Sequence, residues 1–138
     1  MNTFFDSSAF AKRFIDETGS DEIEQICLGS DSIALSSICF PEIISAINRR
    51  LRENHLSKKD YFLIKERMII EFESIEVINV LPEVIGKTIT LLEKYNLRTL
   101  DAIHVASAII WKAELFVSAD KRQAVSAKKA GLKVKFIE

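Results

Sequence analysis

Glycine is scarce: the chain of 138 residues has four, Gly19, Gly29, Gly86 and Gly131, and no two stand near each other. No GxGxxG turn and no Walker loop can be written from them, which removes the commonest backbone cradles for phosphate. The two cysteines, Cys27 and Cys39, form no CxxC pair, and the two histidines, His55 and His104, form no HExxH. Zinc sites and thiol redox chemistry are therefore poorly supported. A charge of one sign is also missing. Lys and Arg number 19 against 20 Asp and Glu, a net of −1, which excludes binding to nucleic acid as a bulk polycation. Long apolar runs are absent too: the longest charge-free apolar segment, Ala102–Trp111, is too short to span a bilayer. Met1–Phe10 lacks a basic n-region and is interrupted by Asp6, unlike a signal peptide. With so few cysteines, the expectation is a soluble cytoplasmic chain without a membrane partner.

What remains for chemistry is carboxylates, hydroxyls and a few basic side chains. At 48% hydrophobic residues the chain can build a real core, and its length is that of one domain, 1–138. Short apolar runs at Thr3–Phe5, Ile33–Leu35, Ile75–Val80, Leu115–Val117 and Val134–Ile137 read as strands. Between them lie helical patterns over Ala9–Ile15, Ser20–Leu28, Pro41 to about Glu53, Ser57–Glu73, Pro82–Lys94, Thr99–Ala113 and Arg122–Ala130. Apolar strands without alternation, separated by helices, predict an α/β fold: a three-layer α/β/α sandwich around a parallel sheet. This pattern leaves the strand order open.

In a parallel sheet every strand-to-helix junction lies at one edge, where ligands of open α/β folds bind. Asp6 follows the first strand, Glu42 opens the helix after the second, and Asp120 follows the fourth. Asp101 starts a helix that feeds directly into the fourth strand, so this helix runs antiparallel to the strands and begins near the same edge. Topology alone brings four acids to one edge. Each has a purely structural reading: Asp6 as a helix cap, Asp120 with Gln123 as a capping box, and Glu42 and Asp101 as complements to helix dipoles. Pro82-Glu83 repeats the local signature of Pro41-Glu42, so local signature cannot mark a catalytic acid. Together the acids are harder to dismiss. Two carboxylates about 4 Å apart repel by roughly 4 kcal/mol at an effective dielectric near 20, which calls for protons or a cation. Oxygen donors on rigid helix starts suit Mg²⁺ or Mn²⁺ and metal-assisted hydrolysis of a phosphoester.

The stretches Phe4-Phe5-Asp6-Ser7-Ser8-Ala9, Pro41-Glu42-Ile43, Leu100-Asp101-Ala102-Ile103-His104-Val105-Ala106 and Phe116-Val117-Ser118-Ala119-Asp120-Lys121-Arg122 resemble the PIN domain. Within it they resemble the VapC-type toxins of prokaryotic toxin–antitoxin pairs. The resemblance covers essentially the whole chain and implies a sheet ordered 3-2-1-4-5, with the third strand at the edge and Glu83 outside the site. It implies an endoribonuclease dependent on Mg²⁺ or Mn²⁺, with Asp6, Glu42, Asp101 and Asp120 as its acidic quartet and Ser118 as a hydroxyl bonded into the site. It also implies a homodimer and a VapB-like antitoxin whose tail inserts a basic side chain among the acids. Cys39, where a threonine is common, departs from the pattern.

Residues 112–138 carry a local net charge of +4 and residues 1–38 one of −5, read either as solvated faces or as a basic rim beside an acidic pocket. Lys121 and Arg122, just after Asp120, are placed to meet RNA phosphate, and Lys12 is a further candidate. Arg49, Arg50 and Arg52 read as a solvated helix face, with an RNA or antitoxin contact as the alternative. His104 reads as a residue packed behind the acids, with a proton shuttle as the alternative, and Ser7 and Ser8 as backbone caps. Trp111, Phe4, Phe5 and Phe116 read as core. Two other functions compete. A phosphoacceptor receiver would need an acid pair where Asp6 stands alone. A catalytically inactive module binding RNA or protein would leave four acids without a task.

Overall fold

The β-branched and aromatic runs form five strands: β1 (Asn2–Phe5), β2 (Ser32–Ser36), β3 (Glu76–Ile78), β4 (Leu115–Ser118) and β5 (Val134–Phe136). The computed structural model, which describes residues 1–138, joins them in one sheet of order β3-β2-β1-β4-β5. Every pairing is parallel. The helices are α1 (Ser7–Phe10), α2 (Ser20–Gly29), α3 (Cys39–Arg52), α4 (Lys58–Glu73), α5 (Pro82–Lys94), α6 (Thr99–Trp111) and α7 (Lys121–Lys129). None is long and apolar enough to cross a membrane.

Both faces of the sheet are covered, which is why the strands do not alternate in polarity. Phe5, Leu35 and Val117 point into one apolar cluster with Phe10, Ile23, Ile43 and Met68 of α1–α4. Their neighbours Phe4, Ala34 and Phe116 point into a second with Val84, Ala102 and Ala127 of α5–α7. Phe4 and Phe116 are direct partners across β1 and β4, and their rings stack with centroids 5.9 Å apart. The expected three layers and the 3-2-1-4-5 order are both present.

Three local differences bear on the site. The first helix begins at Ser7, two residues early, because Asp6 itself is the cap, and it ends in a 3-10 turn over Ala11–Arg13. Helix α3 begins at Cys39, with the Ser36 hydroxyl accepting the Ile38 N–H at 3.3 Å. Pro41 is thereby its third residue, where a backbone N–H would still lack a partner within the helix. Strand β3 is three residues long and pairs only with β2, as suits an edge. Glu83 follows that edge strand and is exposed. Topology, rather than local sequence, separates it from Glu42.

Candidate active site

Asp6 ends β1 in the middle of the sheet and is fully buried. Its Oδ1 accepts the Ala9 N–H at 2.9 Å and the Ser8 hydroxyl at 2.6 Å, capping α1. Its Oδ2 is buried and has no hydrogen-bond partner. Burial pushes the Asp6 carboxyl above its usual range, against the charge of His104 and the hydroxyls of Ser118 and Ser8. Ser8 is no backbone cap. Its oxygen accepts the Ala119 N–H at 3.0 Å, tying the junction after β1 to the one after β4.

Glu42 lies in the first turn of α3, 28% exposed, with its Oε1 turned onto two side chains. The Ser7 hydroxyl donates to it at 2.7 Å, and His104 Nε2 lies 2.5 Å away. Ser7 Oγ and His104 Nε2 are themselves 3.2 Å apart. Burial pushes the Glu42 carboxyl up, but the His104 and Ser7 bonds outweigh it and hold the group below its usual range. Ser7 is thus bonded to an acid, contrary to its expected role as a backbone cap. His104 is buried, as expected for a residue behind the acids, and belongs to the same network. Cys39, fully buried at the start of α3, has its thiol pushed up to about 12, chiefly by burial. At neutral pH it is an inert thiol.

Asp101, in the first turn of α6, is raised first by burial and then by the negative charge of Asp120, with Glu42 adding to the rise. It therefore senses two of the other acids. Arg98, one turn earlier and largely exposed, places Nε 3.7 Å from Asp101 Oδ2 and opposes the rise. Asp120 caps α7, its Oδ1 accepting the Gln123 N–H at 3.1 Å. Ser118 is buried and accepts the Asp120 N–H at 3.0 Å. Gln123 does not complete the expected capping box. Its side chain reaches away and donates to the Asp101 carbonyl at 3.0 Å, pinning the start of α6 to α7.

The sequence matches the PIN domain family over residues 3–129. The chain belongs to that family. It is 29% identical over 137 residues, 95% of this chain and 92% of the other, to a Mycobacterium tuberculosis protein named Ribonuclease VapC45. In fold it is similar to the DNA-bound VapBC of Salmonella typhimurium, with a TM-score of 0.73, 13% identity, and 99% and 98% of the two chains covered. It is also similar to a toxin–antitoxin complex from Klebsiella pneumoniae, with a TM-score of 0.68, 17% identity and 88% of each chain covered.

In this PIN domain the acids come from four elements at one edge of the sheet, yet each carboxylate is occupied by the protein. Asp6 Oδ1 and Asp120 Oδ1 cap helices, Glu42 faces Ser7 and His104, and Asp101 faces Arg98. As these side chains stand, no three His, Cys, Asp or Glu groups converge closely enough to hold a metal ion. The donor chemistry nevertheless fits Mg²⁺ or Mn²⁺. The donors are oxygen, and the unpartnered Asp6 Oδ2 is a buried lone-pair site in want of a cation or a proton. A cleft of about 380 Å³ lined by Ile38, Pro41, Glu42, Ser45 and Leu100 opens beside Glu42. A cavity of about 410 Å³ lined by Arg13, Ser32, Ile33, Glu71 and Glu76 lies at the amino ends of β2 and β3, away from the acids.

The basic residues divide. Lys121 and Arg122 are exposed immediately after Asp120, with Arg122 3.3 Å from Asn96 Oδ1. Lys12, expected to meet phosphate, has its ammonium turned inward. It is 9% exposed, and its ammonium donates to the Thr18 carbonyl at 2.6 Å and lies 3.4 Å from Glu17. Its charge is committed internally. Arg50 pairs with Glu17 at 3.4 Å, while Arg49 and Arg52 are exposed. Sequence reasoning missed Arg98 and, at Gln123, the bond to the Asp101 carbonyl. The i,i+3 spacing of Arg98 and Asp101 was the only available signal, and nothing local points from Gln123 to Asp101.

Proposed function

We propose that this PIN domain is a divalent-metal-dependent endoribonuclease, the toxin of a VapBC-type pair, acting in the cytoplasm. The observation that supports the reading is the buried Asp6 oxygen without a partner, beside an Asp101 whose carboxyl is raised in part by the charges of Asp120 and Glu42. The ribonuclease name of a curated relative over nearly its whole length supports the same chemistry. Asp6, Glu42, Asp101 and Asp120 would hold Mg²⁺ or Mn²⁺, which when bound polarises a phosphodiester and makes a water more acidic.

The chain's own residues do the positioning. Ser118 orders the turn into Asp120 through the Asp120 N–H, and Gln123 keeps α6 and α7 in register. Lys121 and Arg122 form the rim that meets RNA phosphate. The relatives described as VapBC and toxin–antitoxin complexes support a VapB-like antitoxin as partner. Exposed apolar residues on α4 (Phe62, Leu63, Ile70) and α5 (Ile85, Ile89) supply surface that an antitoxin and a second copy would cover in a homodimer.

A second reading, an inactive module binding RNA or protein, draws on the occupation of every acid by a protein donor and on the lack of a converged metal group. Cleavage of single-stranded RNA with Mn²⁺, Mg²⁺ or EDTA separates the two. Metal-dependent cleavage lost in folded Asp101→Asn supports the nuclease. RNA binding without cleavage at any metal concentration refutes it.

A further inference from the structure

Glu42 is the one acid of the four whose carboxylate is gripped by side chains from two other helices. The Ser7 hydroxyl and His104 Nε2 both meet Oε1, and they also lie within bonding distance of each other. The three groups form a closed ring across α1, α3 and α6. We infer that Ser7 and His104 are positioning residues for Glu42, setting its place relative to Asp6 and Asp101. This inference rests on the reading of Glu42 as a member of the metal-binding quartet.

Connectivity is the first argument. Ser7 is covalently next to Asp6, and His104 follows Asp101 by one helical turn, so each partner of Glu42 is tied to another acid through a single backbone segment. The ring thereby relates three acids that lie far apart along the chain. Economy is the second. His104 is 1% exposed, its Nδ1 has no partner, and its Nε2 reaches only Glu42 and Ser7. An imidazole kept merely to fill space would be a poor choice, since an apolar side chain of similar size leaves no buried nitrogen unsatisfied. The stereochemistry of the grip is the third. Both bonds fall on Oε1, which leaves Oε2 as the ligand oxygen of a residue that lines the open cleft. Partners standing behind metal ligands in this way orient them, and their loss costs about 10- to 100-fold in metal affinity or activity.

The test compares His104→Leu, His104→Gln and Ser7→Ala with the wild type and repeats each change in a Glu42→Ala background. Glutamine can present an amide N–H near the place of Nε2, whereas leucine keeps bulk without a donor. Mn²⁺ binding without RNA is measured by electron paramagnetic resonance, RNA cleavage by initial rates, and the metal-free ring by ¹⁵N–¹H correlation. The Mn²⁺ Kd should rise about 10- to 100-fold in His104→Leu. Glutamine should restore most of the loss, Ser7→Ala should raise Kd severalfold, and none should have a further effect once Glu42 is alanine. The His104 Nε2–H signal of the metal-free protein should shift in Glu42→Ala.

Equal Mn²⁺ affinity in all three single variants and the wild type would overturn the inference, as would a Leu effect that persists without Glu42 or an unmoved ring signal. Should His104→Leu fail to fold, Ser7→Ala and the ring signal decide in the same way. Wild type that binds Mn²⁺ but cleaves no RNA refutes the ribonuclease while leaving the grip on Glu42 to be judged by these measurements. A wild type that binds no Mn²⁺ refutes both.

Discussion

Replacing Asp6 by asparagine removes a charge while keeping the shape. Oδ1 would still accept from Ala9 and Ser8, so the cap of α1 survives. The change falls on Oδ2, which is buried without a partner. Leaving a buried polar group unsatisfied costs about 1–3 kcal/mol, and more when it is charged. The amide that replaces it needs acceptors of its own but carries no charge, so in EDTA at pH 7 the variant should gain about 1–2 kcal/mol. At about 4 °C per kcal/mol for a domain of this size, that is a rise in Tm of about 4–8 °C.

Thermal unfolding with EDTA, and again with excess Mn²⁺, provides the assay. The wild type should gain about 2.7 kcal/mol when Mn²⁺ stands at a hundredfold its Kd, and Asp6→Asn should gain far less. The pH dependence carries a sign. Burial raises the folded-state pKa of Asp6 and Asp101 above the ordinary 3.8. Their stabilisation is therefore full below that value and is lost as pH rises through the folded-state pKa. Glu42 is shifted the other way: its contribution is present above its ordinary 4.5 and is lost as pH falls through the lowered value. Metal-free wild type should thus lose stability as pH climbs above about 4, and Asp6→Asn should lose less. A variant that melts below the wild type in EDTA, or that responds to Mn²⁺ as fully as the wild type, refutes the reasoning.

Other perturbations separate neighbouring roles. Lys121→Ala should weaken RNA binding and make its logarithmic salt slope shallower by about 0.7, the share of one phosphate on a single strand. An unaltered slope counts against the basic rim. Lys12→Ala should leave that slope alone and lower stability by about 1 kcal/mol through the lost bond to Thr18, measured by urea unfolding. Gln123→Ala should cost about 1 kcal/mol by freeing the Asp101 carbonyl and should lower cleavage at fixed metal concentration, where an unchanged rate would deny the register role. Glu83→Gln should leave cleavage untouched, and a large loss would mean that the edge strand lies closer to the chemistry than the sheet order allows.

The parallel sheet and the edge to which Asp6, Glu42 and Asp120 belong were legible because buried strands and helix starts leave local marks. Asp101 was legible through direction alone, since a helix feeding β4 must begin near the same edge. The strand order was not written in any local pattern and came from resemblance. The inward bonding of Lys12 was not legible, because a long aliphatic stem can be buried while its ammonium finds a carbonyl, which neither charge nor spacing reveals. Ser7 and Ser8 carry the composition of caps, but Asp6 takes that task first and frees both hydroxyls for bonds across the chain. The ring of Ser7, Glu42 and His104 joins residues 35 and 62 positions apart, beyond the reach of any periodicity.

The central strand β1 precedes its sheet neighbours in the sequence, and half of its pairing comes from far downstream. Thr3 lies beside Leu115 and Phe5 beside Val117. Asp6 therefore sits at the end of a strand whose second side is closed only by β4 and the turn into α7. Contacts of such long sequence separation form slowly, so the β1–β4 pairing is expected to be a late step in folding. The strand order thus makes the two halves of the sheet depend on each other: the strand that carries Asp6 at its end is secured on one side only by residues from the far half of the sequence.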